Sequence, residues 1–311
     1  YLPSLLSNEF VKNTVWVDED VDGDWAVYRK SINYKYDAEF NEDNSYNYGS
    51  AVAYSSLSDF LFSDPNVETG GKVYRYQYDV LTKQYQQDQI FTNDVSFGAT
   101  IAHEQNIYAI AQPTTSPSVF IYTVNDTPAS DDIIPYQTIT ASSISSSITR
   151  FGDGIAISGD TNWLFISDYN STRNNVHIFR KRNEHITVNN STVLDTDATY
   201  QIVNAGTVNW DYISTEIIDN QAGVYFKYNG IAITGTGTAV RCDYEFISTL
   251  SSGSSSVTMD KYGSSISTNY DGTILVVGAP NEDYSTNISN WGRTYVYNRL
   301  VQSFLMSTDY K

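Results

Sequence analysis

Asp18-Glu19-Asp20-Val21-Asp22-Gly23-Asp24 gathers its carboxylates around a single glycine. Alternate carboxylates on a tight loop can turn their oxygens onto one hard cation such as Ca²⁺, and glycine permits the sharp bend. Asp18, Asp20, Asp22 and Asp24 are therefore the candidate metal ligands, and calcium is the candidate cofactor. Arg29 stands where a helix–loop–helix calcium site would place its bidentate glutamate, and both flanks (Val15-Trp16-Val17 and Trp25-Ala26-Val27-Tyr28) read as strands. The same residues also read as a β-hairpin, with Asp22-Gly23 supplying the positive-φ turn.

Acid–base and nucleophilic chemistry has less to stand on. None of the three histidines, His103, His177 and His185, has a catalytic neighbour in sequence. His177 lies between Val176 and Ile178 and reads as a strand-face residue rather than a base, while His103 could approach a central channel. The chain has no spaced histidine pair, no Gly-x-Ser-x-Gly, no glycine-rich phosphate loop and no cysteine pair. No catalytic residue is assigned, and the expectation is a chain that is not an enzyme. Carboxylates converging from distant loops for glycoside hydrolysis stay open. Tyrosine is abundant, with 26 copies. Tyr74, Tyr122, Tyr295 and Tyr297 alternate along strands and are expected to pack inside. Tyr169 and Tyr284 follow apolar strands at loop positions and are the candidate ligand-binding residues.

Composition narrows the partners. Lys and Arg number 18 against 36 Asp and Glu, a formal net charge of −18. Phosphate backbones need clustered cations, so the balance argues against nucleic acid or an anionic membrane as partner, and no membrane insertion is expected. With 41% hydrophobic and only 17% charged residues, the surface must be polar through Ser, Thr, Asn and Tyr. Cys242 is the single cysteine, so no disulfide forms within the chain. No apolar run reaches membrane-spanning length and no signal peptide is visible. The chain starts at Tyr1 rather than Met and is expected to be a processed product or a piece of something larger.

These residues must be positioned by strands, because no segment holds helical periodicity. Aromatic-glycine pairs recur at Tyr48-Gly49, Phe97-Gly98, Phe151-Gly152 and Tyr262-Gly263, at intervals of 49, 54 and 111 residues. After each comes a short strand, a turn, an apolar strand (Phe60-Leu61-Phe62, Tyr108-Ala109-Ile110-Ala111, Leu164-Phe165-Ile166, Ile274-Leu275-Val276-Val277) and a third strand ending on an aromatic. Strand-rich units of this period form β-propellers, in which each blade buries its faces on its neighbours. The expected fold is all-β, a single propeller over 1–311 with six four-stranded antiparallel blades, seven being possible. The expected repeats are 1–47, 48–96, 97–150, 151–204, 205–261 and 262–311, the fifth with degenerate markers.

Phe151-Gly152 with its following strands, and Tyr262-Gly263 with Asp271-Gly272-Thr273-Ile274-Leu275-Val276-Val277-Gly278-Ala279-Pro280, resemble FG-GAP repeats, the blade unit of integrin α-subunit propellers and of bacterial and phage surface proteins. The resemblance covers most of the chain and implies adhesion or assembly without catalysis. Ser158-Gly159-Asp160-Thr161-Asn162-Trp163 loosely resembles the Asp-box of sialidase propellers and reads as a turn in either family. The expected function is thus a non-catalytic recognition or assembly module of a larger virion or extracellular surface protein. Its expected partners are other proteins of the same assembly, or a surface glycan or protein receptor. A carbohydrate-active propeller enzyme and a pure structural spacer are the alternatives.

Overall fold

The computed structural model describes residues 15–19, 25–29, 47–54, 59–67, 70–123, 135–169, 174–252, 260–283, 291–300 and 303–310. The chain divides into two compact units, Tyr1–Glu42 and Asp43–Lys311. In the first, β1 (Val15–Glu19) and β2 (Trp25–Arg29) pair antiparallel, with Glu19 opposite Trp25.

The second unit is all-β and of propeller type. The first blade is β3 (Val52–Tyr54), β4 (Asp59–Val67), β5 (Gly70–Asp79) and β6 (Gln84–Asn93), each strand paired with the next. The second repeats this order with β7 (Thr100–Glu104), β8 (Ile107–Gln112), β9 (Ser118–Thr123) and β10 (Gln137–Thr140). The third begins with β11 (Arg150–Ile157), β12 (Trp163–Tyr169) and β13 (Asn175–Lys181). The chain then makes a separate sheet from β14 (Glu184–Val188), β15 (Thr199–Asn204), β16 (Tyr225–Lys227) and β17 (Gly237–Arg241), with the one-turn helix α1 (Trp210–Ile213) between β15 and β16. It returns as β18 (Tyr244–Ser251), which completes the third blade along β13. The last blade is β19 (Ser265–Thr268), β20 (Ile274–Ala279), β21 (Arg293–Leu300) and β22 (Ser303–Tyr310).

The described residues thus form six sheets, five of them four-stranded, but the strand pairing draws boundaries at other places than the expected repeats. Strands from the expected fourth and fifth repeats share the third blade, and the sheet β14–β17 is inserted between that blade's third and fourth strands. The reason lies in the packing. One apolar cluster joins the first two blades through Leu61, Val73, Ile110 and Tyr122. A second joins the next pair through Ile121, Phe151, Ile166 and Phe179. A third joins the last pair through Phe165, Val176, Val277 and Tyr295. The inserted sheet keeps its own core around Trp210, Tyr200 and Phe226, all within 188–239.

The recurrent glycines fit this succession. Gly98, Gly152 and Gly263 all have φ near +90°. A Cβ on Gly98 would lie 2.8 Å from Val73 Cγ2, on Gly152 2.7 Å from Ala111 Cβ, and on Gly263 2.6 Å from Ser167 Cβ. Each glycine therefore seats its strand against the second and third strands of the preceding blade. The second strand of the second blade reads as a continuous apolar run because both of its faces are covered: all six residues of β8 are buried. Tyr74, Tyr122, Tyr295 and Tyr297 are buried as expected.

Candidate active site

β12 ends on a carboxylate, Asp168, which is only 2% exposed. β13 runs back beside it and brings His177, opposite Ile166, within reach. Asp168 Oδ2 accepts from His177 Nε2 at 3.0 Å. The backbone N–H of Asn175 donates to Asp168 Oδ1 at 2.7 Å, and its side-chain amide donates to Oδ2 at 2.9 Å. A buried carboxylate is costly unless its lone pairs are used, and here they are.

The other face of the imidazole is completed by β18. Thr249 lies directly opposite His177 in the β13–β18 ladder, and its Oγ1 is 2.9 Å from His177 Nδ1. With the carboxylate accepting from Nε2–H, Nδ1 keeps its lone pair and accepts the threonine O–H. His177 is buried, flanked by Phe151 (ring centroids 5.9 Å) and Phe246 (6.2 Å), whereas Thr249 is exposed. Ser251 Oγ, two residues on, donates to Asn175 Oδ1 at 2.7 Å and fixes the residue that holds Asp168. A carboxylate orients an imidazole, and the imidazole can take a proton from an exposed hydroxyl. That is the arrangement by which a weak nucleophile is activated.

The blades supply an internal comparison. Val73, Val119 and Val176 occupy one position in three blades, each under the next blade's glycine. The residues that follow them are Tyr74, Phe120 and His177, and Tyr295 takes this place in the last blade. Three described blades fill the position with a six-membered aromatic ring. Only the third places an imidazole there, between a carboxylate and a hydroxyl.

The residues singled out in the sequence lie as follows. His177 is a strand-face residue, and the structure gives both of its ring nitrogens partners that are distant in sequence, Asp168 and Thr249. His103 is buried in the junction of the first two blades, beside Asp59. His185 is exposed on β14. Asp18 belongs to β1, while Asp20, Asp22 and Asp24 lie outside the described residues. Tyr169 closes β12, its side chain undescribed, and Tyr284 lies outside the described residues. Ser158 to Asn162 do form a turn, in which Asp160 accepts from Ser158 Oγ at 2.5 Å and from the Asn162 N–H at 3.0 Å.

No family model and no curated protein matches the chain. Among solved structures it is similar to a periplasmic gluconolactonase of Pseudomonas aeruginosa, at 13% identity over 96% of this chain and 94% of that one, with a TM-score of 0.36. A Bacteroides fragilis protein whose structure carries a provisional 6-phosphogluconolactonase description is 10% identical over 84% of this chain and 70% of that one, with a TM-score of 0.36. The β-propeller domain of a Myceliophteria thermophila protein is 9% identical over 94% and 81%, with a TM-score of 0.31. These are likenesses of general form. Two of the three are described as lactonases. The expectation of a non-catalytic virion or adhesion module, and of a chain that is not an enzyme, is corrected on that finding.

Proposed function

We propose that this chain is a carbohydrate-active hydrolase that opens an ester or lactone. The observation that carries the proposal is His177 held between buried Asp168 and exposed Thr249, at 3.0 and 2.9 Å. Thr249 Oγ1 attacks the acyl carbon as its proton passes to His177 Nδ1, and Asp168 stabilises the imidazolium through Nε2–H. The proton is returned to the departing alkoxide. Water then attacks the acyl-threonine with His177 again as base, releasing the acid and restoring the hydroxyl. The gluconolactonase and 6-phosphogluconolactonase descriptions of similar structures suggest the substrates to try first, gluconolactones. The low cation content suits an extracellular setting, which is part of this proposal.

A second reading treats the array as a clamp joining β12, β13 and β18. It is favoured by the last blade, where Tyr295 donates to buried Glu282 at 2.6 Å in the equivalent place. Proton release from glucono-δ-lactone, measured for the parent, His177→Gln and Thr249→Val, separates the two. Hydrolysis that falls roughly 10²–10⁴-fold in both variants, with melting temperatures near the parent's, supports the hydrolase. Absence of turnover in the parent, or turnover indifferent to both substitutions, leaves only the clamp.

A further inference from the structure

The junction of the first two blades contains a buried charged cluster that the hydrolase reading does not use. Asp59, at the start of β4, is fully buried. It accepts from Arg75 Nε at 2.9 Å and from the Tyr108 hydroxyl at 2.7 Å. Arg75 Nη1 reaches across to Asp88 of β6 at 2.6 Å. His103, near the end of β7, stacks on Tyr108 with ring centroids 4.3 Å apart. Its Nε2 lies 2.8 Å from the Gln105 carbonyl oxygen and 3.6 Å from Asp59 Oδ1. A carbonyl oxygen only accepts, so Nε2 carries the hydrogen and the neutral ring keeps its lone pair on Nδ1. That Nδ1 is buried and has no hydrogen-bond partner among the described residues. A proton added there would create an N–H⁺ with no acceptor, in a place water does not reach.

We propose that His103 is an acid-sensitive latch between the first and second blades, closed while the ring is neutral and loosened when Nδ1 takes a proton. The groups facing it come from every strand packed around it. Asp59 on β4 favours the imidazolium, and Arg75 on β5 opposes it. Asp88 on β6 acts through Arg75, and Tyr108 on β8 stays protonated because burial pushes its hydroxyl far up. Glu104, the next residue of β7, points to the opposite face by strand alternation. Burial outweighs the rest and holds His103 below its ordinary range. Burial would raise Asp59, but His103 in its charged form, the Tyr108 hydroxyl and Arg75 outweigh it and hold that carboxyl low.

The sign follows from linkage. Below about pH 6.5 the unfolded chain takes up the proton first, so stability falls as pH drops toward the folded value, by up to about tenfold per pH unit. Hydrogen exchange between pH 7.5 and 5.0, corrected for intrinsic rates, reads this directly on segments 59–67 and 100–112. Segment 265–279, in the last blade, is the internal control. The latch predicts that protection of the first two segments drops by up to about tenfold per pH unit below 6.5, beyond any drop in the control. In His103→Gln, whose amide can still donate to the Gln105 carbonyl but cannot titrate, that excess disappears. An equal acid response in His103→Gln overturns the latch. Imidazole ¹⁵N NMR of the parent decides independently of any variant: a bare Nδ1 at pH 7 supports it, and a protonated Nδ1 at pH 7 overturns it.

Discussion

Adding one methyl group at Gly263 tests whether the recurrent glycines seat one blade on another. Gly263 and Gly49 have nearly the same backbone, φ +85° and +83°. Their N–H groups make equivalent bonds, to Gly278 O at 2.9 Å and to Ser63 O at 2.8 Å. Either substitution to alanine incurs the left-handed penalty, about 1–2 kcal/mol. At Gly263 the new Cβ would lie 2.6 Å from Ser167 Cβ and 3.2 Å from Val176 Cγ2, whereas at Gly49 no described residue lies within 4 Å. Ser167 Cβ is fixed to the backbone of β12 and cannot rotate away, so the blades must part. Overpacking of this kind costs about 1–3 kcal/mol more. For a unit of this size that excess is a further drop of roughly 2–12 °C in melting temperature. Calorimetry on Gly49→Ala and Gly263→Ala measures it. Equal losses in the two variants would refute the inter-blade role and leave only backbone conformation.

Three further outcomes are expected. Asp59→Ala removes the acceptor shared by Arg75 and Tyr108, leaving both buried donors short of a partner, and is expected to cost about 3–5 kcal/mol in denaturant titration. Trp210→Ala, at a fully buried ring whose Nε1–H donates to the Ala205 carbonyl at 2.9 Å, should cost about 3–5 kcal/mol. Hydrogen exchange should place that loss in 188–239 and leave β11–β13 protected. The Cys242 thiol is buried and pushed up to about 12, so at pH 8 thiol-directed alkylation should run on the order of a thousandfold slower in the native chain than in the unfolded one.

What the sequence revealed was what neighbouring residues decide. The run at β8 is apolar because both of its faces are covered, and that is visible without coordinates. The glycines at 98, 152 and 263 mark blade starts because only glycine tolerates both the positive φ and the close approach. The insertion was not legible. Its strands carry the same β-branched and aromatic residues as a blade, so local composition could not tell a sheet inside the succession from one outside it. Only the pairing of Tyr244–Ser251 with Asn175–Lys181 reveals the detour, and closing so long a loop adds little entropy cost that would signal it. The same detour hid the candidate site, because 72 residues separate His177 from Thr249. One signal was present: aligning the third strands sets His177 against Tyr74, Phe120 and Tyr295, the one position where a ring that can titrate replaces rings that fill space.

The central claim is that Thr249 is a nucleophile activated by His177, and covalent capture tests it most directly. The folded chain is incubated with a fluorophosphonate, digested, and mapped by mass spectrometry alongside His177→Gln and Asp168→Asn. The account predicts a phosphonyl adduct on Thr249 in the parent, at least about a hundredfold slower in His177→Gln and slowed in Asp168→Asn. An unlabelled Thr249 in the parent, or labelling at the same rate in His177→Gln, would contradict it.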